Sequence, residues 1–169
     1  MTKKKIAILL IFSFLLCVSC RTTEKYKIIN YSKPINYYLP FFSNNSYKPA
    51  INEELTNKLN NLLINNAQFN LSNIRETADF IFIGVITNYS KNPEIYTDRD
   101  KIQMYKITID CELKIINNKE NIELLIFLLN ASTIYSEIAN TAESEKDAVD
   151  RLLNILSVKI YNSIVDTFK

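Results

Sequence analysis

A strict alternation of apolar and polar residues from Tyr105 to Ile115 is the feature that most constrains the fold of this chain. Such a pattern is typical of a half-buried β-strand, because successive side chains point to opposite faces of a sheet. The polar face would carry Lys106, Thr108, Asp110, Glu112 and Lys114. The apolar face, which we expect to meet a core, would carry Tyr105, Ile107, Ile109, Cys111, Leu113 and Ile115.

A second strand pattern follows this one after a short polar turn. The turn Asn117–Asn121 is followed by Ile122–Tyr135, in which Leu124–Leu129 is apolar at every position. The two strands therefore predict a long hairpin. At about 3.3 Å per residue, a strand from Met104 to Ile116 extends roughly 40 Å. The apolar run leaves side chains on the sheet face that helices would not cover, so this face is a candidate docking surface.

Two helices and two further strands complete the predicted fold. Ile35–Phe42 and Phe80–Tyr89 read as strands, the second central because it is apolar on both faces. Gly84, the only glycine, indicates a bulge or a close backbone approach there. Pro49–Asn65 reads as a helix with Pro49 in its first turn, and Ser144–Asp147 has the form of a capping box that opens the last helix. The order β-α-β-β-β-α predicts an α+β two-layer sandwich, a four-stranded, mainly antiparallel sheet with two helices on one face.

The first twenty residues have the layout of a bacterial lipoprotein signal. Three lysines precede an apolar run, and Cys20 directly follows a small residue. We expect a signal peptide at residues 1–19, a lipidated tether at 20–33 and a folded domain at 34–169. Cys20 would carry a diacylglycerol on its thiol and an acyl chain on its amine. Ordinary cleavage and a retained anchor helix are the alternatives, although the apolar run is shorter than the about 20 residues that span a bilayer.

The composition argues against enzymatic chemistry and against nucleic acid as a partner. The chain has no histidine, which excludes serine-histidine and cysteine-histidine nucleophile systems, and its single glycine excludes glycine-rich phosphate loops. Cys111, which we expect to be a small core residue, cannot build a zinc site alone. Three of the 20 basic residues lie in the signal, so the rest of the chain nearly balances its 18 acidic residues and lacks a basic footprint. We expect a protein that is not an enzyme and that has no metal and no cofactor besides its acyl groups.

Three segments of the chain resemble the lipopolysaccharide-assembly lipoprotein family LptE. They are Pro40–Pro49 with the following Glu54-Leu55-Thr56, Ala78–Ile86 running into Tyr89–Pro93, and Tyr105–Ile109. The likeness extends in order from about Ile35 to Lys169. The hairpin turn departs from the family, because many members place a glycine before lysine there.

The resemblance implies a lipoprotein anchored to the periplasmic side of the outer membrane. Such a protein would be the plug and assembly partner of the outer-membrane barrel LptD and would assist delivery of lipopolysaccharide to the outer leaflet. Its partners would be the barrel, lipopolysaccharide and, through the lipid, the membrane. The alternative is an envelope lipoprotein that binds a hydrophobic ligand or scaffolds the periplasm without a barrel. A hydrolase is a third reading, for which the chain lacks a nucleophile and base set.

Two groups of side chains are candidate contacts in this reading. Lys91, Arg99 and Lys101 would bind lipid A phosphates by charge-assisted hydrogen bonds from the predicted polar connection 88–101. Aromatic residues are enriched at interface centres, and the candidate partner contacts are Tyr37, Tyr38, Phe41 and Phe42. The alternatives are solvated loop cations for the first group and ordinary strand core for the second.

Overall fold

The computed structural model describes residues 33–96, 102–136 and 144–169. Within these ranges, two helices pack against a mixed sheet of six strands, so the predicted α+β class with two helices is confirmed. The elements are β1 Ile35–Tyr38, β2 Ser43–Asn44, α1 Ile51–Ile64, β3 Phe69–Leu71, a 3₁₀ turn Arg75–Thr77, β4 Phe80–Tyr96, β5 Ile102–Asn117, β6 Ile122–Ser136 and α2 Glu145–Thr167. The predicted signal peptide and nearly all of the tether lie outside the described residues.

The sheet is larger and more mixed than the predicted four-stranded, mainly antiparallel one. Its order is β3-β1-β4-β5-β6, with β2 also beside β4. The pairs β1–β3, β1–β4 and β2–β4 are parallel, whereas β4–β5 and β5–β6 are antiparallel. The prediction missed β2 and β3 because strands of two and three residues are too short to show a period. The chain passes through α1 between the parallel strands β1 and β3, as a parallel pair requires.

Strand β4 is longer than expected, because most of the predicted polar connection 88–101 belongs to it. β4 pairs with β5 as far as Tyr96 opposite Ile102. Its register shifts after Ile86 and again near Pro93. Each shift breaks the alternation from which a strand is recognised in a sequence. Asn88 to Tyr96 is therefore strand, and the hairpin that β4 forms with β5 is as long as the predicted β5–β6 hairpin.

Gly84 lies where the ring of Phe42 crosses β4. A Cβ atom at Gly84 would lie 2.2–2.3 Å from three atoms of that ring. Phe42 is 1% exposed, its N–H donates to Thr56 Oγ1 at 2.9 Å, and its carbonyl accepts from Asn52 Nδ2 at 2.9 Å. The close approach expected at Gly84 is therefore present, with an aromatic ring as the approaching group.

Both helices contribute their apolar faces to one core with the inner face of the sheet. α1 begins at Ile51 and not at Pro49, because Ala50 has a left-handed φ of 64°. α2 begins as predicted, with Ser144 Oγ accepting from the N–H of Asp147 at 3.1 Å. Cys111 is buried, and its burial raises the thiol pKa to about 12. In the described ranges, neither helix combines the length and the apolarity that a membrane crossing requires.

Candidate functional site

The sheet face turned away from the helices, here called the outer face, carries exposed apolar side chains on β6. They are Ile126, Leu128 and Ile134, and Leu128 is 82% exposed. The residues between them point into the core, where Ala131, Thr133 and Tyr135 are buried. The apolar run in the second strand of the predicted hairpin thus does leave side chains on the uncovered face.

A row of polar residues on β5 lies beside these apolar side chains. Two of its four charged residues form an ion pair: Lys114 Nζ lies 3.3 Å from Glu112 Oε1, and it also lies 3.5 Å from Glu123 Oε2 of β6. Asn88 Nδ2 donates to Asp110 Oδ2 at 3.0 Å. The outer face is therefore amphipathic, with an apolar edge strand along a row that has two basic and two acidic residues. A surface of this kind suits a protein partner better than a hydrocarbon phase, because ionised groups are costly in hydrocarbon.

The structure places Lys91 within β4, and its side chain is turned toward the start of α2. Lys91 Nζ lies 2.9 Å from Glu145 Oε2 and 4.2 Å from the centre of the Tyr105 ring. Arg99 and Lys101 lie outside the described residues. Lys91 is therefore the only one of the three predicted loop cations that the structure describes. It is a strand residue and not a loop residue, and it forms an ion pair.

Lys91 belongs to a wider set that we call the Glu145 cluster, formed by Lys48, Tyr89, Lys91, Tyr105, Tyr135 and Glu145. Glu145 Oε1 accepts from Lys48 Nζ at 2.5 Å and from the Tyr89 hydroxyl at 3.0 Å. Of these three residues, Lys48 lies in the segment before α1, Tyr89 lies in β4 and Glu145 lies in the first turn of α2. Hydrogen bonds from Lys48 and Lys91 lower the pKa of Glu145 to about 2. The carboxylate thus holds three separate parts of the chain together.

The sequence analysis missed this cluster because its members are far apart in the chain. Lys48 and Glu145 are 97 residues apart, and Lys91 and Glu145 are 54. The one local signal was an acid in the first turn of a helix, which the helix dipole already explains. Nothing in a single sequence indicates which distant lysines such an acid will meet.

We expect Glu145→Gln to lower the free energy of unfolding by about 1–2 kcal/mol at pH 7, because it removes a charged acceptor of several hydrogen bonds. A carboxyl whose folded pKa is lowered stabilises the protein above its ordinary pKa of 4.5 and loses that contribution as the pH falls toward about 2. The difference between wild type and variant should therefore shrink across this range in urea unfolding. The control is Glu94→Gln, on an exposed part of β4. A difference that stays constant as the pH falls would contradict the assignment.

The four aromatic candidates separate into two pairs. Tyr37 and Phe42 are buried core residues; the Tyr37 ring stacks on Phe82 with centres 5.5 Å apart. Phe41 is 64% exposed, and Tyr38 is partly exposed. With Leu71, these last two line an open depression of about 190 Å³ between β1, β3 and α1. That volume is below the range of about 300–1,000 Å³ typical of ligand pockets, so the depression suits a single side chain or ring.

The remaining site predictions concern lipidation and metal binding. Cys20 lies outside the described residues, so its acylation stays a prediction. Across residues 33–96, 102–136 and 144–169, the acidic and cysteine side chains form no group that could hold a metal ion.

The chain matches no family model, and no curated protein is similar to it in sequence. Solved structures do share its fold. An uncharacterised lipoprotein B from Nitrosomonas europaea has a TM-score of 0.56 at 12% identity, over 78% of this chain and 83% of that one. A DUF330 protein from Xanthomonas campestris has a TM-score of 0.56 at 10% identity, over 82% and 90%. A minor lipoprotein from Acinetobacter baumannii has a TM-score of 0.51 at 15% identity, over 76% and 91%. This fold thus occurs in bacterial lipoproteins.

Proposed function

We propose that this chain is an outer-membrane lipoprotein that acts as plug and assembly partner of an LptD-like barrel and assists lipopolysaccharide delivery to the outer leaflet. The observation that carries the proposal is the uncovered outer face, with Leu128 at 82% exposure beside a row of balanced charges that includes the Lys114–Glu112 ion pair. The three LptE-like segments support the choice of partner. The fold shared with bacterial lipoproteins supports the envelope location.

The dimensions of the sheet suit a plug. β5 has 16 residues, and at about 3.3 Å per residue it extends roughly 50 Å. The apolar band of an outer-membrane barrel is about 25 Å tall, and the interior of such a barrel is polar. A rigid sheet of this length would reach through the lumen of the barrel. The charged row on β5 would face polar residues of the barrel wall, and the apolar side chains of β6 would make the closest contact with that wall. In this role the chain performs no catalysis.

Cys20 would fix the domain to the periplasmic leaflet. Each buried CH₂ of an acyl chain contributes about 0.8 kcal/mol, and stable anchoring requires more than one chain. We expect Cys20→Ala to move the protein from the membrane fraction to the soluble or mislocalised fraction. The readout is fractionation together with the intact mass of the wild type. Unchanged fractionation, with no mass of attached lipid on the wild type, would refute the anchor.

Lipopolysaccharide phosphates would be bound by Arg99, Lys101 and Lys91, the last of which lies within β4. Lys91 already pairs with Glu145, so reversing its charge would also place a carboxylate against a carboxylate and disturb the fold. Lys101→Glu is therefore the cleaner variant for measurements of lipopolysaccharide binding.

The experiment that tests the proposed partner is recovery of the tagged full-length chain from detergent-extracted envelopes. We expect an outer-membrane barrel protein at a ratio of one to one. Recovery of the chain alone would contradict the proposal. Recovery with small lipids only would favour the alternative, an envelope lipoprotein that binds a hydrophobic ligand without a barrel.

A further inference from the structure

Within the part of the chain that the structure describes, strand β6 has an open edge. Among the described strands it pairs only with β5, on one side. An open edge presents unpaired backbone N–H and C=O groups that can pair with another chain. The register between β5 and β6 is regular from Leu125 opposite Ile115 to Ser136 opposite Met104. This regular register shows which residues of β6 turn their backbone N–H and C=O groups away from β5.

Two cations of α2 cover one half of this edge. Arg151 Nη2 donates to the carbonyl of Ile134 at 3.2 Å, and Lys159 Nζ donates to the carbonyl of Asn130 at 2.8 Å. In an antiparallel strand the outward-pointing backbone groups belong to alternate residues. Ile126 and Leu128 therefore turn their N–H and C=O groups to the same edge, and among the described residues no side chain caps them as Arg151 and Lys159 cap the other half.

The uncapped stretch Leu125–Leu129 of this edge lacks the features that usually prevent strand pairing. Edge strands are commonly protected by charged residues, by proline or by irregular backbone. From Leu125 to Ser136, β6 contains no charged residue, no proline and no glycine, and its register with β5 is regular; Glu123 and the register shift at Leu124 precede this stretch. The side chain of Leu128 is 82% exposed beside this free backbone. Backbone pairing and burial of apolar surface would thus occur at the same residues.

We infer that a second copy of this chain occupies this edge, through antiparallel pairing of β6 with β6 about a two-fold axis near Phe127. A two-fold contact uses the same patch on both copies, so the patch must be complementary to itself. The uncharged stretch Leu125–Leu129 meets this condition, because no like charges come to face each other within it. Ile126 of each copy then lies opposite Leu128 of the other. The caps at Asn130 and Ile134 confine the pairing to the first half of β6.

Self-association is separate from the proposed function but affects it through one residue. Leu128 belongs both to the outer face and to the open edge, so self-association and barrel binding compete for it. The dimer is the state of the chain before it meets its barrel.

The test is the protein mass, by light scattering, of the purified full-length chain in detergent over a range of concentrations. We expect a wild-type dimer that dissociates on dilution. Leu128→Lys should weaken self-association at least tenfold, because it brings two like charges to the centre of the pairing. The matched control is Ile74→Lys, since Ile74 is 57% exposed in a different part of the molecule, and this variant should dimerise as the wild type does.

Three results would overturn the inference: a wild type that is monomeric at every concentration, a Leu128→Lys variant that still dimerises, or equal loss of the dimer in both lysine variants. Circular dichroism of each variant checks that its fold is intact. The purified chain is measured without any barrel protein, so failure here leaves the barrel-recovery experiment unaffected, and the reverse is also true.

Discussion

Gly84→Ala is expected to destabilise the folded protein by about 3 kcal/mol, at the upper end of the usual effect of overpacking a core. The new Cβ atom would lie 2.2–2.3 Å from three atoms of the Phe42 ring. The ring cannot move away easily, because it is buried and the backbone of Phe42 is hydrogen-bonded to Thr56 and Asn52 of α1. Urea unfolding measures the loss. Thr87→Ala, at an exposed position of the same strand, should change the stability by less than about 0.5 kcal/mol.

A double variant separates this clash from a general intolerance of β4 to substitution. Phe42→Ala alone should cost about 3–5 kcal/mol by leaving a cavity. Once the ring is absent, adding Gly84→Ala should cost almost nothing, so the two single effects should be far from additive. Additive losses, or a Gly84→Ala variant as stable as wild type, would show that the ring does not require a glycine.

Phe168→Ala is the second substitution with a large expected effect, a loss of about 3–5 kcal/mol in the free energy of unfolding. Phe168 is fully buried at the end of α2, and its ring centre lies 4.7 Å from that of Phe80, 6.1 Å from that of Phe69 and 6.2 Å from that of Phe82. It therefore joins the last residues of the helix to the inner face of the sheet. Aromatic pairs add to the burial itself.

Val158→Ala on the same helix is the matched control for this prediction. Val158 is exposed, so its truncation should change the stability by less than about 0.5 kcal/mol. If Phe168→Ala lost no more than Val158→Ala in urea unfolding, the end of α2 would not be part of the cooperative core.

The predictions that succeeded depended on long, local patterns. The alternation along β5 and the run in β6 predicted the hairpin, and the capping box at Ser144 predicted the start of α2. The predictions that failed concerned short or irregular elements. β2 and β3 are too short for a period to appear, and the bulges of β4 conceal the strand character of Asn88 to Tyr96.

The candidate sites were harder to predict because they depend on long-range pairing. The sequence does not indicate which of the two neighbouring rings, Phe41 or Phe42, is buried. Phe42 is buried because Gly84, some forty residues later, leaves space for its ring. Glu145 likewise acquires its role only when Lys48 and Lys91 meet it in the fold. The outer face, by contrast, followed directly from the apolar run in β6.

The central claim is that the outer face contacts an outer-membrane barrel, and the most direct measurement of it is the amount of barrel protein recovered per tagged full-length chain. We expect Leu128→Lys to reduce this ratio at least tenfold relative to wild type, because a charge then stands at the most exposed apolar position of the face. Ile74→Lys should leave the ratio unchanged. Equal recovery of a barrel with both variants, or recovery of none with the wild type, would contradict the account.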